Sequence, residues 1–376
     1  MKDNPKKWIW QHENYPTFDY DPSTLDSTLL DVSRNIGKLE GAIYTLNDKN
    51  INDIMIDASI NEILQSSEIE GEILSRDSVE SSVRKKLDET FDYSNDSSTR
   101  HTDGLVALLL DSSDINAPLS EERLHGWHNI LFPTGYSDGH KIDVAEYRSD
   151  EMEVVSSRGY REVVHYLAPP HEELIKQMDE LFIYINEVDE NPYVKSAIAH
   201  IWFVSIHPYD DGNGRIARAI TNYVLSKELG LDHKYYSLST AIRQDKKGYY
   251  DNLEKSKNLF YNREFDFTKW VLWHTEMIKS AIDISLEQIE IITQKTKFWD
   301  RAREYNLNER QRKVIHKILN IGMENFEGGL STKKYAKMVN TSIPTAKRDM
   351  TLLLEYGLIE QVEGSAGRNT RYRLKS

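Results

Sequence analysis

The sequence predicts a mainly α-helical protein with one β hairpin in its body and a winged helix-turn-helix domain at its carboxy terminus. Three observations carry that prediction. Apolar residues recur at three- and four-residue spacing over most of residues 26–303. One stretch, YRSDEMEVVSSRGYREVVHYL at 147–167, departs from it, with β-branched and aromatic residues flanking SSRG. Beyond residue 307, three short helical patterns precede two Gly-bounded strand patterns, the order of a winged helix.

Bulk properties limit what such a chain does. Its 376 residues suggest two or three domains. Hydrophobic content is only 39%, yet 7 Trp, 21 Tyr and 10 Phe can bury large areas, so a folded protein is expected. A net charge of −14 argues against a chain built wholly to coat nucleic acid or anionic membrane. The charge is divided: residues 306–376 hold 13 Lys/Arg against 7 Asp/Glu, a balance of +6, which leaves −20 on the remainder. There is no cysteine, which excludes disulfides, thiolate zinc sites and a cysteine nucleophile. The start, MKDNPKKWIWQHENYP, is too polar for a signal peptide, and no apolar run approaches about 18 residues. A cytoplasmic protein without membrane contact is expected.

Residues 1–25 read as irregular, with Trp8, Trp10, Tyr15, Phe18 and Tyr20 available as anchors. Leu29, Leu30, Val32, Ile36, Leu39 and Ile43 then mark a helix over about 26–48, and Ile54, Met55, Ile60, Ile63 and Leu64 a second over 50–66. Further helices are expected at 76–87, 101–111 and 120–131, with a long loop reaching 145. The hairpin follows, with Gly159 in its turn, and Pro169-Pro170 ends it before a helix at 171–186. Pro192 opens a strongly apolar helix over 193–206; another runs from Arg215 to Leu229 and stops at Gly230. Helices at 246–257 and 265–303 complete the body. In the tail, helices at 308–321, 331–339 and 343–356 lead to strands at 357–363 and 369–374. Domains are accordingly expected at 1–100, 101–304 and 305–376.

The chemistry is concentrated in HPYDDGNGRIAR at 207–218. Gly212 and Gly214 let backbone N–H groups approach a ligand closely, and a helix starting near Asn213 adds partial positive charge. The turn should therefore hold an anion such as phosphate. Arg215 and Arg218 lie on one helix face and suit phosphate oxygens. Asp211 beside them makes sense if a divalent metal bridges it to phosphate. His207, on the opposite lip, can accept a proton at neutral pH.

The string resembles the signature of the Fic family: His-Pro-Phe, any residue, Asp or Glu, Gly-Asn-Gly-Arg, two residues, Arg. Only Tyr209, standing for Phe, departs from it, and its hydroxyl needs a partner. KSAIAHIWFVSI, YLAPP and Tyr249-Tyr250 also resemble the family core, over roughly 100–275. The resemblance implies a Fic-type helical core whose hairpin is a flap, with Val164, His165, Tyr166 and Leu167 registering a target chain by strand addition. It implies His207 as general base, Asp211 as ligand of Mg2+, and Gly212, Asn213 and Gly214 as the anion hole. Arg215 and Arg218 become the phosphate clamps, and Ile216 and Ala217 complete the ATP-binding stretch. Tyr249 and Tyr250 fall near the adenosine. The activity implied is transfer of AMP from ATP to a Ser, Thr or Tyr hydroxyl of a target protein.

Upstream, Ser66-Ser67-Glu68-Ile69-Glu70-Gly71 is by itself an acidic helix end with a glycine stop. It also resembles the family's inhibitory helix, which implies a contact of Glu70 with Arg218 that competes with the γ-phosphate. Alternatives stay open: removal of AMP, another nucleotide donor, or a DNA-binding regulator with a nucleotide-responsive core. The +6 tail is a candidate for DNA or protein contact, and a homodimer fits the family.

Overall fold

The computed structural model describes residues 7–137, 139–158, 161–230, 233–323, 326–365 and 367–375, and the chain divides into two compact units, 1–285 and 286–376. The division falls inside one long helix, whereas the sequence places its last boundary at 304/305.

In the first unit, α1 (Pro22–Tyr44) starts earlier than its apolar spacing suggests, because Asp21 accepts from the Ser23 amide and Pro22 occupies the first turn. It is followed by α2 (Asp48–Ile69), α3 (Arg76–Leu87), α4 (Arg100–Ser112) and α5 (Glu121–Leu131). The expected loop to 145 contains a small hairpin, β1 (Tyr136–Ser137) with β2 (His140–Lys141). The larger hairpin pairs β3 (Glu153–Arg158) with β4 (Arg161–Leu167) and has a register shift at Val154/Val155. Gly159, expected in its turn, lies outside the described residues.

Next come α6 (Leu174–Glu187), α7 (Pro192–Ile206) and α8 (Asn213–Leu229). Every residue of α7 from Tyr193 to Ile206 is buried, as its apolar run demands, and its one lysine, Lys195, is paired with Glu228 at 2.5 Å. After α8, the structure adds α9 (Leu238–Gln244), which the sequence reading left unassigned, then α10 (Lys246–Lys257) and α11 (Thr268–Ala302). Among the described residues, no helix is long and apolar enough to cross a membrane.

What places α2 is a buried carboxylate. Glu62, 5% exposed, accepts from Ser237 Oγ (2.8 Å), Ser239 N (2.9 Å), Ser239 Oγ (2.6 Å) and Asn222 Nδ2 (3.2 Å), tying α2 to α8 and α9. Removing it strands several buried donors, each worth about 1–3 kcal/mol. Glu62→Ala is therefore expected to cost about 3 kcal/mol, read as a lower urea midpoint.

The second unit contains α12 (Glu309–Ile321), α13 (Thr332–Val339), α14 (Ile343–Glu355) and the hairpin β5 (Ile359–Gln361) with β6 (Tyr372–Leu374). These occur in the expected order, with shorter strands. Val314, Ile315, Ile318, Tyr335, Leu353 and Leu374 are buried together. Asp349 of α14 accepts from Arg310 Nε (2.8 Å), Asn308 Nδ2 (2.9 Å) and Tyr335 OH (3.1 Å), and so joins all three helices.

Candidate active site

α7 ends at His207, whose φ of +51° is left-handed, and the chain turns there into the loop. His207 Nδ1 lies 3.2 Å from the Val204 carbonyl. A carbonyl only accepts, so Nδ1 carries the hydrogen and Nε2 keeps its lone pair. Burial, reinforced by the charge of Lys257, holds the imidazole pKa well below its ordinary value, so the ring is neutral.

The loop is braced from below. Tyr209 is fully buried; its hydroxyl meets His125 Nδ1 at 3.0 Å, and its ring stacks on His128 at 4.2 Å. This supplies the partner that the extra hydroxyl requires. His128 accepts from the Ala145 amide at 3.0 Å, and its Nε2 lies 3.2 Å from the Asp211 carbonyl. Asn213 is also structural through its side chain, which bonds the Tyr209 amide (3.1 Å) and carbonyl (2.7 Å). Only its backbone remains to meet an anion.

Gly212 has φ +81°, and a Cβ there would come within 2.8 Å of the Phe132 ring. At Gly214, a Cβ would overlap the Glu70 carboxylate, which therefore lies directly against the glycine cradle. The same carboxylate accepts from Arg218 Nη1 at 2.8 Å. Ser66 completes the hold on Arg218: its Oγ accepts from Nε at 3.0 Å and its carbonyl from Nη2 at 2.9 Å. Arg218 is only 1% exposed. Arg215 bonds Glu72 Oε2 at 3.0 Å, while Glu68 pairs with Arg243 at 2.6 Å.

Asp211 accepts from the Gly212 amide at 2.5 Å and from the Ser137 hydroxyl, and lies 4.0 Å from Arg215. It borders a cavity of about 500 Å³ together with Arg215, Glu70 and Glu72. A second cavity of about 360 Å³ is lined by His207, Gly214, Glu70, Tyr166, Tyr249 and Tyr250. Tyr249 is buried, with its hydroxyl 3.0 Å from His200 Nε2, while Tyr250 donates to the Ile69 carbonyl at 3.0 Å.

The expected site residues are thus brought together unevenly. Ile216 and Ala217 are fully buried and line neither cavity, and the Ile216 amide already bonds the Gly212 carbonyl. In β4, His165 and Tyr166 line the His207 cavity. Tyr166 turns inward and donates to the Ser205 carbonyl at 2.9 Å, Val164 is half-buried, and the Leu167 carbonyl accepts from Trp10 at 2.8 Å.

Three contributors carried no sequence signal. Arg148, 3% exposed, donates from Nε to the His207 carbonyl (2.9 Å), from Nη1 to Asp150 O (2.7 Å) and from Nη2 to Pro169 O (2.6 Å). It fixes the loop against the base of the hairpin. Lys257 lines the His207 cavity with its Nζ 4.2 Å from the Tyr166 ring centroid, and burial pushes its pKa down to about 7. Ser137 reaches Asp211 from the unforeseen hairpin β1–β2.

Residues 118–225 match the Fic/DOC family, and residues 8–88 match a domain of unknown function (DUF4172). A uridine 5'-monophosphate transferase of Xanthomonas campestris pv. campestris (strain 8004) is 27% identical over 119 residues, covering 30% of this chain and 22% of that protein. A protein adenylyltransferase Fic of Nematostella vectensis is 31% identical over 91 residues, covering 23% and 19%. The matched stretch spans about a fifth of these curated relatives. Among solved structures, a Fic family protein from Desulfovibrio desulfuricans G20 shares the fold over 96% of this chain and 98% of its own, with TM-score 0.55 and 22% identity. A Fic domain containing signaling protein from Bacteroides thetaiotaomicron has TM-score 0.50 and 20% identity, over 69% and 95%.

Proposed function

With residues 118–225 a Fic/DOC family domain, we propose that the protein transfers AMP from ATP to a Ser, Thr or Tyr hydroxyl of a target protein and of itself, under restraint by Glu70. One observation carries the reading: a neutral histidine and Gly214 of the glycine turn line the same cavity. The target oxygen bonds the α-phosphorus, its proton passes to His207 Nε2, and the bond to the β-phosphate breaks, releasing pyrophosphate. The amides of Asn213 and Gly214, joined by that of Gly212 once it leaves the Asp211 carboxylate, meet the phosphate charge, and positioning supplies most of the acceleration. Arg215 and Arg218, freed from their carboxylates, clamp the outer phosphates.

Asp211 fits Mg2+. Its carboxylate is 45% exposed at the cavity rim, and among the described residues no group of three His, Cys, Asp or Glu could cage an ion. An ion held by Asp211 would take its other ligands from phosphate and water, as magnesium commonly does. When bound, it neutralises phosphate charge and orients the leaving group. Label from α-labelled ATP should enter protein, and label from γ-labelled ATP should not; the reverse pattern ends this reading. Running UTP in parallel tests the donor that the uridine 5'-monophosphate transferase relative suggests.

A second reading concerns the tail as a winged helix. A groove of about 810 Å³ in the second unit is lined by Lys333 and Lys347 of α13 and α14 and by Arg371 beside β6. Duplex DNA is the occupant this charge favours. The full chain should shift a DNA duplex at low salt and lose it steeply as salt rises; no shift at low salt removes DNA from the account.

A further inference from the structure

The inhibitory reading above concerns one arginine, but the geometry holds two. Arg215 Nη1 donates to Glu72 Oε2 at 3.0 Å, and Arg215 is otherwise enclosed: its side chain is 10% exposed and its Cζ stands 5.0 Å from the Phe132 ring centroid. Its Nε is buried without a hydrogen-bond partner. Glu72 is itself held in place. Its amide donates to the Ser67 carbonyl at 3.0 Å, and its Oε1 meets His101 Nε2, from α4, at 2.8 Å. The His101 hydrogen bond, with Arg215 nearby, keeps the Glu72 carboxyl pKa below the usual range.

We propose that Glu72, braced by His101, is a second carboxylate clamp that holds Arg215 away from nucleotide phosphate, so that two arginines must be released before ATP binds productively. The inference rests on the nucleotidyl-transfer reading of this site. Glu72 Oε2 takes one Nη1 hydrogen and sets a negative charge beside the guanidinium, so a phosphate approaching Arg215 competes with it for the same cation. The cavity beside Arg215 is also bordered by Glu70, Glu72 and Asp211, so an entering triphosphate meets three carboxylates there, two of which, Glu72 and Asp211, lie within 4.0 Å of the Arg215 guanidinium. Magnesium would offset Asp211, and removing Glu70 frees one guanidinium nitrogen of Arg218. Neither relieves Glu72. On this account Glu70→Gly is a partly released enzyme.

The test uses the full chain and four forms: wild type, Glu70→Gly, Glu72→Gln and the double variant. Glutamine keeps the shape of Glu72 and drops its charge. Binding of magnesium tripolyphosphate reads the arginines without any transfer step. Glu72→Gln is expected to tighten it at least about fivefold in either background, with AMP incorporation by the double variant at least about threefold above Glu70→Gly alone at subsaturating ATP. Unchanged or weaker tripolyphosphate binding in both backgrounds overturns the proposal and makes Glu72 a support for Arg215. If the glutamine variant misfolds, His101→Ala, which leaves the Arg215 contact itself in place, should shift binding in the same direction by less; no shift there is equally fatal. Tighter tripolyphosphate binding without AMP transfer by any form would keep the clamp and reject the transfer reading. A silent Glu70→Gly beside an active Glu72→Gln would reject only the role of Glu70.

Discussion

Replacing His207 by alanine is expected to lower AMP transfer by about a thousandfold or more while leaving ATP binding within about twofold of its starting value. The two effects separate because the phosphate groups and the proton acceptor are different atoms. In the proposed reaction the cradle is backbone at 212–214 and the clamps are Arg215 and Arg218, whereas His207 offers a single lone pair. Alanine removes that lone pair and no phosphate contact. The loop should survive, since Arg148 holds the carbonyl of residue 207 and not its ring. Single-turnover rates with ATP in excess, beside equilibrium ATP binding, check both halves. Substantial transfer by the alanine variant would remove His207 as base.

The acid side of the wild-type pH profile follows from the same atom. A histidine whose pKa is lowered by burial stays neutral below the ordinary value near 6.5, so it still accepts a proton there. The fall in kcat/KM that His207 causes should accordingly lie below about pH 6.5. A fall centred above pH 7 would point to another group, with Lys257, at about 7 in the same cavity, the first to examine.

How much of this was legible in the sequence depends on how local each contact is. Residues 207–218 are contiguous, so the candidate base, carboxylate, cradle and clamps could be read from a single string. The apolar run at 193–206 likewise forces a buried helix that delivers His207. Arg148, Lys257, Ser137 and His101 lie on four separate segments and reach the site only through packing, which no spacing rule encodes. Glu72 stands two residues after Glu70, but no spacing gives its direction: Gly71, at φ +91°, turns the chain so that the two glutamates face different arginines. α9 escaped because LSTAIRQ is seven residues long and gains its place from serines bonded to Glu62. Ile216 and Ala217 show the opposite error, since adjacency to the cradle does not put a side chain in it.

Glu70→Gly is expected to raise AMP incorporation, self-modification included, by about tenfold or more. The argument is geometric before it is electrostatic. The carboxylate sits where a Cβ on Gly214 would be, so it fills space against the amides proposed to face the transferred phosphate, and it engages Arg218 at 2.8 Å. Glycine empties that space and frees one guanidinium nitrogen; the two Ser66 contacts still hold Arg218 near its present position. Little stability should be lost, because residue 70 caps α2 with αR backbone and its side chain is 30% exposed, while Glu62 anchors the helix elsewhere. A matched melting temperature therefore separates release from unfolding. Glu70→Gln gives the finer discrimination: it keeps the bulk against Gly214 and loses the charge, so partial activation would assign part of the restraint to occupancy and part to the ion pair. Unchanged labelling by both variants with α-labelled ATP would leave the Glu70–Arg218 contact as a structural ion pair.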